Sequence, residues 1–267
     1  MSATIVSDER IETPQGQLAA RQWRPQQAAA GLAPIVMLHD SLGCIALWRD
    51  FPERLAAATG RRVIAYDRLG FGQSASHPGC LSMDYVQDEA STFLPQVLAQ
   101  LQAESFIALG HSIGGCMGIA SAAQHAHCLG LVTIAAQAYV DDRIVAGIVE
   151  ARSMFDDPAQ FARLEKYHGQ QARWVLDSWA DTWTSPGFAS WNMGTELAQV
   201  QCPALVLHGD RDEYGSLAQP QRIADSVRGP VSFQVLEDCG HIPHREKPEA
   251  LLASIAPWLA REVQSAA

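Results

Sequence analysis

The sequence predicts an α/β fold: a mostly parallel, twisted sheet with helices on both faces and an inserted helical cap. Three observations predict it. Six short apolar runs, each the length of a buried strand, recur along the 267 residues. Longer stretches with helical apolar spacing separate them, and such alternation builds a parallel sheet. A strand-free, tryptophan-rich region breaks the rhythm between two of the runs.

Taken in order, the first feature is a polar-tipped pair of segments around Pro14–Gln17, which predicts an antiparallel hairpin at one sheet edge. The runs APIVMLH (33–39), RRVIAYD (61–67), SFIALG (105–110), LGLVTIA (129–135), CPALVLH (202–208) and VSFQVLE (231–237) read as strands. WRDFPERLAAAT (48–59) and MDYVQDEASTFLPQVLAQL (83–101) read as helices between them. Residues 141–198 hold four of the seven tryptophans, Trp174, Trp179, Trp183 and Trp191, and helical spacing runs through 161–183. This region is expected to be a helical lid, with residues 1–140 and 199–267 forming the core. PEALLASIAPWLAREVQ (248–264) closes the chain as a helix.

Composition narrows the function classes. With 48% hydrophobic and 18% charged residues the chain suits a globular protein with a sizeable core, one large domain with an insertion. A formal charge of −10 argues against a nucleic-acid or anionic-membrane partner. MSATIVSDERIETP has no basic stretch leading into an apolar one, so no signal peptide is expected. No run approaches the roughly 18 apolar residues of a spanning helix. Six scattered cysteines without CxxC pairs read as reduced, mostly buried thiols of a cytoplasmic protein. His125, His127 and Cys128 resemble metal ligands only superficially: histidines two apart face away from each other on a helix, and no second cluster follows. No metal and no cofactor are expected.

The chemistry starts at Gly110-His111-Ser112-Ile113-Gly114. A serine on a sharp strand-to-helix turn needs small residues two positions either side, and G-x-S-x-G supplies them. The helix N-terminus beneath it favours developing negative charge. A serine hydroxyl is a poor nucleophile until an oriented base takes its proton. LVLHGDRDEYG (205–215) ends a run in acids, and QVLEDCGHIPH (234–244) ends one in histidines. Acid and histidine therefore follow the serine in chain order, each after a strand. Either Asp212 or Asp210 is the acid, and His241 or His244 the base.

LHDSLG (38–43), YDRLGFGQS (66–74), GHSIGG (110–115), HGDRD (208–212) and DCGHIPH (238–244) together resemble the α/β-hydrolase family over nearly the whole chain. The resemblance implies the α/β-hydrolase fold, with Ser112 as nucleophile, Asp212 as acid and His241 as base. It also implies an oxyanion hole made by the backbone N–H groups of Ser41 and Ile113, each worth about 3 kcal/mol in the transition state. The family often has His-Gly where this chain has His39-Asp40. A carboxylate aimed at a developing oxyanion would be harmful, so Asp40 is expected to point away or to be hydrogen-bonded. His39 and His208 are expected to satisfy turns, and His111 to brace the nucleophile's turn. Asp67 and Arg68 are expected to tie the 69–74 loop to GHSIGG.

The reaction expected is acyl transfer to water: hydrolysis of an ester-type bond in a small, apolar or aromatic substrate. Trp48, just after the oxyanion stretch, and Trp183 and Trp191 from the lid are the candidate pocket residues. The alternatives are a carbon–carbon bond hydrolase of an aromatic ring-cleavage pathway, a hydroxynitrile lyase, or a non-catalytic ligand-binding member of the fold. A dehalogenase of this fold needs a carboxylate nucleophile, which Ser112 excludes. The expected partner is a small molecule, and the chain is a monomer or a homodimer.

Overall fold

In the computed structural model, residues 4–26 and 31–263 are described. Eight strands form one sheet: β1 (Thr4–Ile11), β2 (Leu18–Pro25), β3 (Ile35–Leu38), β4 (Val63–Tyr66), β5 (Phe106–His111), β6 (Cys128–Ile134), β7 (Ala204–Gly209) and β8 (Val231–Leu236), in the order β1-β2-β4-β3-β5-β6-β7-β8. The hairpin predicted at Pro14–Gln17 joins β1 to β2, with Ile11 opposite Leu18. β2 runs antiparallel to β4, and every later pairing is parallel. All six runs read as buried strands are strands, but β8 is only partly buried because it forms the sheet edge.

The central strands are apolar without alternation because both sheet faces are covered. Successive side chains still point to opposite faces, and that divides them between two cores. Val36, Leu38, Ile64, Tyr66 and Ala108 pack on one side. Ile35, Met37, Val63, Ala65, Ile107 and Leu109 pack on the other, against α1 (Phe51–Thr59) and the C-terminal helix. Each fully buried Leu, Ile, Val or Phe contributes about 1.5–3 kcal/mol.

The helix predicted over 83–101 is present but not uniform. It runs as α2 (Tyr85–Asp88), a π-helical turn (Glu89–Phe93) and α3 (Leu94–Gln100). The widened turn buries Glu89, which accepts a hydrogen bond from the Tyr66 hydroxyl at 2.6 Å.

Between β6 and β7 the chain forms α5 (Asp142–Met154), α6 (Pro158–His168), α7 (Ala172–Trp183) and α8 (Gly194–Leu197), after α4 (Ile113–Gln124) on β5. Asp141 and Asp157 cap α5 and α6 by accepting from Ile144 N and Ala159 N. The spacing that reads as one helix over 161–183 is broken at Gly169, whose φ of 56° ends α6. The remaining helices are α9 (Ala218–Ser226), α10 (Pro243–Glu246) and α11 (Pro248–Glu262).

The β5–α4 turn carries backbone strain. Ser112 sits at φ 54°, ψ −126°, a region that costs a non-glycine residue of order 1–3 kcal/mol. Its glycine neighbours permit the crossing. A Cβ on Gly110 would lie 2.0 Å from the Gly114 carbonyl oxygen, and one on Gly114 would lie 2.1 Å from that of Leu38. Backbone occupies the space that side chains would need.

Candidate active site

Three strand ends bring the predicted residues together. Ser112 follows β5, Asp212 follows β7, and His241 follows β8. His241 Nε2 lies 3.0 Å from Ser112 Oγ, and its Nδ1 lies 2.8 Å from Asp212 Oδ2. The carboxylate can only accept there, so Nδ1 carries the proton and Nε2 presents a lone pair to the serine. The other Asp212 oxygen accepts from Tyr214 N (2.8 Å) and Gly215 N (2.9 Å), and His208 Nε2 is 3.2 Å from Oδ2. Asp210 does other work: it accepts from Cys239 N at 3.1 Å and braces the loop after β8.

These contacts set the protonation states. Burial alone would raise the Asp212 pKa, but the bond to His241 and the adjacent His208 and Gly215 N–H bring it down to about 2. Burial alone would lower that of His241; the Asp212 carboxylate outweighs it and holds the imidazole above its ordinary value. The His241 loop is pinned at both backbone atoms. Its N–H donates to Glu213 Oε2 (3.1 Å), and its carbonyl accepts from His111 Nε2 (2.7 Å). His111 therefore braces the histidine loop as well as sitting in the elbow. His244 is buried against Trp48, with ring centroids 4.6 Å apart, and does not reach Ser112.

Ser41 and Ile113 flank the serine as free donors. Ile113 is the first residue of α4, where helical N–H groups have no partner. Ser41 is the second residue of a turn closed by Gly43 N→Asp40 O at 3.2 Å. Neither N–H donates to another protein group among the described residues. Asp40 takes an ordinary negative φ, so replacing the family's glycine needs no unusual backbone angle. Its carboxylate folds back over Gly43, where a Cβ would lie 2.0 Å from Oδ1, and stands 3.9 Å from His111 Nδ1. Burial would raise its pKa, but His111 and the other neighbouring histidines hold it well below the usual carboxylate range.

A cavity of about 320 Å³ opens over Ser112. Its apolar wall comes from Ile144 and Ile148 of α5, Leu164 of α6, and Trp179 and Trp183 of α7. Of the three tryptophans predicted to line it, only Trp183 does. Trp48 is 3% exposed and packs behind the site on Phe51 and His244, because the turn carrying it (Ile45–Trp48) faces the α1–α11 core. Trp191 stacks on Phe188 at 5.1 Å, one layer out. The i, i+4 spacing of Ile144/Ile148 and Trp179/Trp183 is the signal that marks the wall in the sequence.

Gln137 was not singled out by the sequence. Three residues beyond β6, it directs Nε2 to Ser112 Oγ at 3.3 Å and to the Ala135 carbonyl at 3.4 Å. By occupying a serine lone pair it leaves the hydroxyl proton to His241. Asp67 also works differently from its expected role. It accepts from Ile45 N (2.6 Å) and Gln73 N (2.8 Å), tying the 69–74 loop to the segment after the oxyanion turn instead of to GHSIGG.

The metal-like residues are spent elsewhere: His125 bonds the Ala90 carbonyl at 2.8 Å, and Cys128 Sγ the Gly130 carbonyl at 3.4 Å. Among the described residues no group of three or more His, Cys, Asp or Glu is placed to hold a metal, and no helix is long and apolar enough to cross a membrane.

The alpha/beta hydrolase family profile matches residues 35–254. The chain belongs to the alpha/beta hydrolase family. Within it, the chain is 21% identical to proline iminopeptidase from Lactobacillus helveticus (strain DPC 4571), over 85% of this chain and 89% of that one. It is 26% identical to 2-hydroxymuconate semialdehyde hydrolase from Pseudomonas sp. (strain CF600), over 85% and 87%. The crystal structure of the enol-lactonase from Burkholderia xenovorans LB400 superimposes with a TM-score of 0.74 at 19% identity, covering 94% of this chain and all of that one. The shared fold therefore does not by itself assign a reaction to this chain.

Proposed function

We propose that the protein is a serine hydrolase that cleaves an ester-type acyl bond of a small, apolar or aromatic substrate through Ser112, His241 and Asp212. The observation that carries the reading is the imidazole of His241, held between Asp212 Oδ2 and Ser112 Oγ. His241 takes the serine proton as Oγ attacks the carbonyl carbon. The carbonyl oxygen gains charge against Ser41 N–H and Ile113 N–H. The tetrahedral intermediate collapses as His241 gives its proton to the leaving oxygen. Water then attacks the acyl-enzyme with His241 again as base, and Ser112 leaves with a proton returned to it. Gln137 donates to Oγ when that oxygen leaves. We read residues 141–198 as a lid whose α5–α7 faces give the substrate its apolar surroundings. A small, acidic protein with unpaired thiols suits the cytoplasm, as a monomer or homodimer. Carbon–carbon hydrolysis is the second reading, favoured by the identity to 2-hydroxymuconate semialdehyde hydrolase.

A panel of p-nitrophenyl acetate, butyrate and phenylacetate tests turnover. Release of many equivalents of p-nitrophenolate per enzyme is expected; stoichiometric binding of the esters with no release contradicts the reading and favours a ligand-binding protein. The pH dependence has a definite sign. The base works neutral, so kcat/KM should fall as pH falls through the His241 pKa. That limb should lie above about 6.5, the unperturbed histidine value, because Asp212 stabilises the charged imidazole. A limb below that value would contradict the assignment of His241.

A further inference from the structure

We propose that Arg68 is a positioning residue that fixes and polarises the Asp40–Ser41 peptide, and so sets the aim of the Ser41 N–H. The inference rests on the reading of Ser41 N–H as an oxyanion donor. The Asp40 carbonyl oxygen accepts from three groups: Arg68 Nη2 at 2.9 Å, His39 Nδ1 at 2.9 Å and Gly43 N at 3.2 Å. Arg68 also acts on the second of these. Its backbone N–H donates to His39 Nε2 at 3.1 Å, which places the single imidazole proton of His39 on Nδ1, facing the same carbonyl.

A trans peptide is planar, with C=O and N–H pointing in opposite directions. Holding the Asp40 oxygen from the protein side therefore holds the Ser41 hydrogen toward the cavity. A hydrogen bond to one end of a peptide also strengthens the donor at its other end.

The choice of residue points the same way. Arg68 is 3% exposed, yet among the described residues no carboxylate oxygen lies within 4.0 Å of its guanidinium. The buried acid nearby, Glu89, accepts the Tyr66 hydroxyl instead. The guanidinium rests 4.1 Å over the Phe71 ring, and its Nε has no partner. Burying a cation with no carboxylate in contact is costly, even with the charges of Glu89 and Asp40 near it, and a neutral donor would hold a carbonyl at less expense. A cation behind the peptide does more only when negative charge forms in front of it, as it does in the tetrahedral intermediate.

The test is a double-mutant cycle. Ser41→Pro deletes the N–H, and proline is favoured at the second position of such a turn. Because the ring Cδ also stands where the hydrogen pointed, the substitution should lower kcat by about 10²–10³-fold and raise KM. Arg68→Met should lower kcat by about 10- to 100-fold, with KM little changed, and weaken an arylboronic acid that forms a charged tetrahedral adduct by a similar factor. In the Ser41→Pro background, Arg68→Met should have almost no further effect on kcat. Arg68→Lys, which retains the cation, should show a smaller loss that also vanishes in that background, and it decides the matter if the methionine variant does not fold. Equal losses from the Arg68 change in both backgrounds would overturn the proposal while leaving the oxyanion reading intact. An unchanged kcat in Ser41→Pro alone would overturn both, and an ester hydrolysis still dependent on Ser112 would survive it.

Discussion

Ser112→Ala should lower kcat/KM for a p-nitrophenyl ester by at least about 10⁴-fold while leaving the fold intact. The atom that forms the acyl bond is gone, and the remaining rate comes from substrate binding and the oxyanion donors acting on water. The fold survives because alanine keeps the Cβ at the strained φ of 54° and removes only two contacts, to His241 Nε2 and Gln137 Nε2. The kinetics should be read beside the thermal midpoint. A variant that melts like the parent and keeps its activity would remove Ser112 from the mechanism.

Asp212→Asn should cost about 10⁴-fold in kcat, the size expected when a triad histidine is held in the wrong tautomer. The local donors explain why. Tyr214 N and Gly215 N both require an acceptor at one end of the side chain. An asparagine must give them its carbonyl oxygen, which turns its NH₂ toward His241. The imidazole then accepts at Nδ1 and carries its proton on Nε2, facing Ser112, where it cannot act as a base. Asp210→Asn keeps an acceptor for Cys239 N and should stay within about 3-fold of the parent, since surface changes away from special features are nearly neutral. Reversed outcomes for the two asparagine variants would move the acid to position 210.

The order Ser112, Asp212, His241 is legible because each residue closes an apolar run, and parallel strands place such ends along one edge. The choice of Asp212 over Asp210 is legible through the family resemblance and not through the apolar pattern. It depends on which carboxylate meets the amides of Tyr214 and Gly215 and which meets the amide of Cys239, contacts made after the β7 and β8 turns have closed. Trp48 shows a different limit. Its nearness to Ser41 in sequence predicts the pocket, but a tight turn aims it at the opposite core. The break at Gly169 is hidden by apolar spacing that continues on both sides of a left-handed residue. Gln137 lies in no motif, and the motifs that hold His39 and Arg68 do not show what those side chains bond, because all three roles come from single hydrogen bonds formed when loops meet in the fold.

Incubation with a fluorophosphonate followed by peptide mass analysis tests the central claim most directly. A hydroxyl activated by His241 should displace fluoride and leave one phosphonate per chain on Ser112, with labelling lost in Ser112→Ala and slowed in Asp212→Asn. An unlabelled protein, or a label that persists after Ser112→Ala, would contradict it.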